Sequence, residues 1–281
     1  MDEHFPAGGD FHIRADSSAG AIEKLVLKHD ESFLVCDRRG DFPAHVGGEL
    51  GFYHGGTRHL RWLELQLNGE RPLVLAAEVS TENDQILVAL ANADIENAGE
   101  TIPRNTIYLD RLLSLYKTHL VQSLTISSFH EAPCELTLEW VFISDFRDLF
   151  EVRGMHRAER GQLLAEEHVD GTVVLGYRGL DGVERTTRLV FDPPPMLVAS
   201  HRAVYRIALA PNATCRIDLT VTAAAGEPPA SPPVAPAVLR ALRAEPRLHD
   251  EASAIFSDNE LFNGMVRRSI LDLQMLLTQT P

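Results

Sequence analysis

Between Glu23 and Ala225 apolar residues recur mostly at every second position, in short runs bounded by turn formers. That period is the signature of half-buried strands. Glu31-Ser-Phe-Leu-Val-Cys36 halts at Asp37-Arg-Arg-Gly40. Arg58–Leu67 sets Leu60, Trp62, Leu63, Leu65 and Leu67 mostly in alternation with polar neighbours, then meets Asn68-Gly69. Asn-Gly suits the two positive-φ positions of a type I′ hairpin turn. Leu73–Val79, Gln85–Leu90, Thr106–Asp110 and Val121–Phe129 follow, then Glu135–Ile143 with Leu136, Leu138, Trp140 and Phe142 on one face. Thr172–Tyr177, Arg185–Phe191, Ala203–Ala210 and Cys215–Val221 complete the series. Roughly a dozen strands with no helical pattern between them predict a mainly β chain built as a large antiparallel β-sandwich.

The pattern changes at Gly226–Pro236, where five prolines fall in eleven residues, a composition that makes an extended, semi-rigid linker. Beyond it the period is helical. Val238–Ala244 makes one turn or two, and Asp258 is the expected cap of a long helix through Gln279, with Glu260 suiting the dipole of its first turn. Phe262, Val266, Ile270, Leu273 and Leu277 form one stripe, which Leu261, Met265, Leu271, Met275 and Leu276 widen over most of the circumference. So apolar a helix belongs inside a larger helical body. It packs back on the sandwich, meets a partner, or opens a further domain of a longer protein, and the last is the expectation. The organisation expected is a leader over 1–22, a sandwich over 23–226, a linker over 227–236 and the start of a helical domain over 237–281.

Composition narrows the function. The 281 residues carry 26 Lys+Arg against 40 Asp+Glu, a net charge of −14, which disfavours nucleic acid and anionic membrane as partners. No run approaches the roughly 18 apolar residues of a membrane helix, and Met1-Asp-Glu-His-Phe-Pro6 has neither the basic start nor the apolar stretch of a secretion signal. Cys36, Cys134 and Cys215 lie far apart, each in an apolar or strand-like run, which fits reduced thiols in the cytoplasm.

The chain holds no GxGxxG, P-loop, GxSxG or HExxH motif and no zinc-spaced Cys/His cluster, so no cofactor and no metal is expected. His54 and His59 flank a turn with no third ligand, and Asn212-Ala-Thr214 fits a glycosylation sequon only by chance. Two segments stand out. Gly51-Phe-Tyr-His-Gly-Gly-Thr-Arg-His-Leu-Arg-Trp62 combines aromatics, paired glycines and a Thr-Arg step. Ser144-Asp-Phe-Arg-Asp-Leu-Phe-Glu-Val-Arg-Gly154 alternates Asp145, Asp148 and Glu151 with Arg147 and Arg153. Paired carboxylates can do glycosidic acid–base work across a pocket. Interleaved with arginines, they fit better a structural ion-pair network or an interdomain contact.

Asp37–Gly40, Gly51–Leu60, Asp145–Gly154 and the Pro-rich stretch, in that order, resemble the N-terminal domain of bacterial and archaeal glycogen debranching enzymes of the amylo-α-1,6-glucosidase type. In that family an acidic residue usually precedes Thr-Arg; here it is Gly56, so no polar role carries over to that position. The resemblance implies a supersandwich-like domain ahead of an (α/α)6 barrel that holds the catalytic carboxylates, with the final helix as the barrel's first. It also implies a glycogen-like α-glucan as the substrate, through a catalytic domain this sequence does not include, and no catalytic residue within it. Tyr53 and Arg58 are the candidates to edge a glucan cleft, since aromatic faces and guanidinium donors suit sugar rings and hydroxyls. A packed aromatic and a structural ion pair are their other readings. Asp145, Asp148, Glu151 and Arg153 are the candidate structural or interdomain residues. The alternatives are a free-standing glucan-binding module, which the placement of Trp62 and Trp140 on or beside apolar strand faces disfavours, and an assembly domain for a separately encoded helical subunit.

Overall fold

Alternating apolar positions become the inward faces of antiparallel strands in a computed structural model that describes residues 23–44, 48–97, 100–169, 172–199, 201–226, 234–244 and 255–277. The leader over 1–22 and residues 227–233 of the linker lie outside the described residues. The chain opens with a meander of β1 (Leu25–His29), β2 (Ser32–Cys36), β3 (Gly51–His54) and β4 (Thr57–Leu60), a four-stranded sheet in sequence order. There follow β5 (Trp62–Leu67), β6 (Leu73–Val79), β7 (Gln85–Ala91), the small hairpin β8 (Ile95–Asn97) and β9 (Glu100–Ile102), β10 (Ile107–Tyr116), β11 (His119–Ser128) and β12 (Cys134–Ile143). A single-turn helix α1 (Leu149–Val152) precedes β13 (Gln162–Leu163), β14 (Glu167–Val169), β15 (Thr172–Arg178), β16 (Glu184–Asp192), β17 (Leu197–Ala199), β18 (Arg202–Leu209) and β19 (Thr214–Ala225). Two helices close the described chain, α2 (Ala235–Ala244) and α3 (Glu260–Leu276).

A nine-stranded sheet runs β13-β15-β16-β19-β11-β10-β7-β6, with β14 also on β15, and a four-stranded sheet runs β17-β18-β12-β5. All of these pairings are antiparallel. Leu109, Leu113, Leu124, Ile126 and Leu219 from the large sheet share one core with Leu136, Leu138, Trp140 and Phe142 from the smaller and with Leu27, Leu34 and Phe52 from the meander. Trp140 meets Phe191 at 6.0 Å and Tyr205 edge-on at 5.8 Å, which joins β12, β16 and β18. Burying each large apolar side chain contributes about 1.5–3 kcal/mol, so this shared core is the main source of cohesion. The molecule is thus mainly β and multi-sheet, with few helices.

Two local readings change. The Arg58–Leu67 run is two strands in two sheets: at Arg61 the backbone N–H turns to Ile143 O (2.9 Å), which hands the chain from the meander to β12. All four residues of β4 are buried, so no polar face marks the break. The last helix is capped by Asn259, whose side chain accepts from Phe262 N (3.1 Å), and it ends at Leu276. Asp258 lies one position too early.

Helix α2 lays Ala235, Val238 and Leu239 on Val121, with Tyr116 alongside, covering one end of the outer face of the nine-stranded sheet. Helix α3 is tied down by polar contacts: Asn83 Nδ2 donates to Asp272 Oδ1 (2.7 Å), Arg267 pairs with Glu82 (2.7 Å), and Lys28 Nζ donates to Leu277 O (3.0 Å). Leu271 is buried, whereas Leu261, Phe262, Met265, Leu273 and Leu276 are exposed. Among the described residues no helix is long and apolar enough to cross a membrane.

Candidate functional site

The two segments singled out in the sequence meet at the β3–β4 hairpin. Positive φ at Gly55 and Gly56 closes the hairpin, and the residues that follow Ile143 run back along β4. Arg58 N donates to Arg147 O (2.8 Å) and Leu149 N to Gly56 O (3.0 Å). Gly56 therefore works through its carbonyl. Gly51 allows Arg58 to cross beneath β3: a Cβ there would lie 2.5 Å from Leu60 O and 2.7 Å from Arg58 Cδ.

Arg58 is only 3% exposed and grips Asp145 with two bonds, Nε to Oδ1 (3.1 Å) and Nη2 to Oδ2 (2.5 Å), while Nη1 donates to Gly48 O. Burial alone would lower the pKa of the guanidinium; the Asp145 hydrogen bonds and charge outweigh it and raise it. Tyr53, directly across the hairpin, is 1% exposed; its ring stacks on Phe33 (4.4 Å) and its hydroxyl donates to Glu49 O (2.7 Å). Burial pushes that phenol up. Both side chains are thus occupied within the fold.

Asp148 caps α1 in a reciprocal box: it accepts from Phe150 N (2.8 Å) and Glu151 N (2.9 Å), while Glu151 Oε2 accepts from Asp148 N (3.0 Å). Burial tends to raise the Asp148 carboxyl, but the bonds from Glu151 N, the Arg157 side chain and Phe150 N hold it below the usual carboxylate range. Arg160 pairs with Glu151 (2.9 Å), donates to Asp145 O (2.8 Å) and lies over the Tyr177 ring (5.7 Å). Arg153 is exposed on the C-cap of α1. A general acid for glycosidic cleavage needs a raised pKa, and Asp148 is shifted the other way. The ring of charges stitches the loop to the hairpin. Beneath it Phe146, at φ 48, stacks on Tyr177 (5.6 Å) and meets His59 edge-on (5.5 Å). His59 is buried, its Nδ1 facing Thr186 O and Thr187 Oγ1 (both 3.2 Å), and burial drops its pKa to about 3.

The Asp37–Gly40 motif builds a second charged cluster. Asp41, essentially inaccessible, meets Arg111 (2.5 Å) and Arg71 (2.9 Å), and Arg71 also reaches Asp37 (2.5 Å). Burial raises the Asp41 pKa against the pull of Arg111. Arg111 Nη2 carries the network on to Gln122 Oε1 (2.8 Å). Asp41, Arg71 and Arg111 were missed in the sequence, because their signal is only an Asp one residue past the motif, an arginine in the β5–β6 connection and another on the distant β10. A polar cleft of about 250 Å³ lies beside this cluster, bordered by Asn68, Glu70, Arg71, Asn92, Asp94 and Glu96. Among the described residues no group of three or more His, Cys, Asp or Glu side chains is placed to hold a metal ion.

A family model described as the N-terminal domain of (some) glycogen debranching enzymes matches residues 27–220. Comparison with curated proteins gives no match. Among solved structures, a provisionally named kojibiose phosphorylase from human microbiome is 10% identical with a TM-score of 0.46, over 88% of this chain and 35% of that one. A provisionally named aldose 1-epimerase from Escherichia coli K12 is 9% identical with a TM-score of 0.40, over 72% of this chain and 99% of that one. A galactose mutarotase-like protein from Lactobacillus casei ATCC 334 gives 9% and 0.40, over 72% and 100%. The chain thus spans 35% of the length of the first of these structures.

Proposed function

This chain belongs to the family formed by the N-terminal domain of some glycogen debranching enzymes, and from that premise we propose that it is the non-catalytic front portion of an amylo-α-1,6-glucosidase-type glycoside hydrolase. In this reading the hydrolysis of α-1,6 glucan branches runs on two carboxylates of a helical (α/α)6 domain, and the sandwich buttresses that domain. Helix α3 is its first helix, reached through the Pro-rich linker. The observation that carries the reading is α3 itself: its polar contacts hold it to the β6–β7 turn while Leu261, Phe262, Met265, Leu273 and Leu276 face outward. An apolar row of that kind calls for a cover. Tyr53 and Arg58 then serve the glucan side indirectly, by fixing the hairpin and its loop, and Asp145, Asp148, Glu151 and Arg153 shape the rim that meets the helical domain. The free thiols of Cys36, Cys134 and Cys215 suit a cytoplasmic enzyme.

The test is to express the reading frame through whatever follows codon 281 and to assay glucose release from a glycogen limit dextrin. Release by the extended chain and none by the 281-residue chain supports the reading. Release by the 281-residue chain alone overturns it, as does a frame with no helical domain in it or beside it.

A further inference from the structure

The outer face of the nine-stranded sheet is covered at one end by α2 and open at the other. On the open end β10 presents Tyr108 and Asp110, β11 presents Thr125 and Ser127 and, just beyond its last residue, Phe129, and β19 presents Thr214 and Arg216; the register sets Tyr108 beside Ser127 and Ser127 beside Thr214. Phe129 is 60% exposed, and its ring stands edge-on to Tyr108 at 5.7 Å. The edge contact fixes the ring and leaves much of it open to solvent. Around it stand hydroxyls and one exposed carboxylate: Ser127 Oγ and Thr214 Oγ1 lie 3.2 Å apart, Thr125 is half-buried two residues earlier on the same face, and Asp110 lies beside Thr125 in the register. The cation there is neutralised, since Arg216 pairs with Asp218 (3.1 Å) and donates to Ser123 Oγ (3.0 Å).

We infer that this open end, where Phe129 stands with Tyr108 beside the hydroxyls of Thr125, Ser127 and Thr214, is a binding surface for an α-glucan chain. A fixed aromatic ring gives an apolar face for a sugar ring, and side-chain hydroxyls, each both donor and acceptor, match sugar hydroxyls. Charge selects the same occupant. A protein of net charge −14 repels polyanions, and a patch whose guanidinium is already paired favours a neutral polymer. An aliphatic protein partner would leave the hydroxyls unmatched. That the sugar is an α-glucan rests on the debranching reading; that a neutral polyhydroxylated chain binds here does not.

The experiment is affinity electrophoresis of the 281-residue chain in gels containing glycogen, beside the variants Phe129→Ala and Thr125→Arg. Glycogen is expected to retard the wild type. Phe129→Ala should raise the apparent Kd about tenfold, the loss of one aromatic contact. Thr125→Arg, which sets a long cation on the platform, should do at least the same. Thermal midpoints should match the wild type, because Phe129 lies outside the core. Variants retarded as strongly as the wild type, or a wild type that glycogen does not slow, overturn the inference. Retardation that Phe129→Ala abolishes, in a chain whose extended form releases no glucose, keeps the surface and sinks the debranching reading. Glucose release without retardation does the reverse.

Discussion

Arg58 and Asp145 are 87 residues apart in sequence, and their double hydrogen bond closes the hairpin–loop junction. Removing one member of a buried pair costs more than the pair contributes, because the other charge stays desolvated. Arg58→Ala should therefore lower stability by about 3 kcal/mol, read as a shift in urea midpoint. Arg58→Ala with Asp145→Ala should recover part of that loss, and strictly additive losses would show that the two side chains are not coupled. His59 gives a pH prediction with a definite sign. Burial first, then the nearby His54, lowers its pKa from 6.5 to about 3 in the folded chain. Below pH 6.5 the unfolded chain takes up a proton that the folded chain refuses, so stability falls as pH drops from 6.5 toward 3. The slope is about 1.4 kcal/mol per pH unit for one such group. His54 and His119 are lowered by burial as well and add to it. Urea midpoints at pH 7 and pH 5 measure the slope, and His59→Phe should flatten it. At this scale the sequence singled out the two segments that hold Arg58 and the Asp148–Glu151 box, but not the bonds they make: the Arg58–Asp145 pair and the reciprocal cap come from the fold. The sequence was silent where partners come together only through pairing: nothing along the chain links Asp41 to Arg111, 70 residues away.

Among the elements, the longer strands were the most legible part, because alternation survives in most of those with one solvent-facing side. It fails in β4, buried on both faces, and in β6, whose outward positions Leu75 and Ala76 are exposed yet apolar. Helix α3 was legible in its length and its apolar breadth; its cap was misplaced by one residue because Asp258 and Asn259 are both good N-caps and the sequence does not choose between them. The structure does, through the bond from Phe262 N to Asn259 Oδ1 (3.1 Å). Asn259→Ala should destabilise α3 by about 1 kcal/mol, visible as faster amide exchange in its first turn, whereas Asp258→Ala should leave that exchange unchanged. Helix α2 is held by three buried side chains on Val121. Leu239→Asp, which sets an unpaired charge on that contact, should release α2 and expose Ala235–Ala244 to protease at a rate the wild type does not show.

For the molecule as a whole, the multi-sheet character follows from counting short alternating runs, but the order of strands does not. Nine strands join one sheet through partners as distant as β11 and β19, and such pairings are chosen by the shared core. The feature with the largest consequence is the unequal treatment of the two sides of α3. Its inner side is fixed: Leu271 is 5% exposed, and Asp272 and Arg267 are bonded to the β6–β7 turn. Its outer side leaves Leu273 at 64% and Leu276 at 70%. Apolar surface contributes roughly 25 cal/mol per Å² on burial, so an open row favours any cover, including a second copy or a fluorescent dye. The 281-residue chain alone should accordingly bind an apolar dye and sediment as more than a monomer at high concentration. Leu273→Glu with Leu276→Glu should abolish both effects and leave the urea midpoint within about 0.5 kcal/mol, as for surface substitutions. Leu271→Glu, on the buried side of the same helix, should instead lower the midpoint by more than about 1 kcal/mol and increase dye binding. If the outer pair changes neither dye binding nor sedimentation, the row is not the exposed apolar surface of this chain, and α3 has no call for a helical domain to cover it.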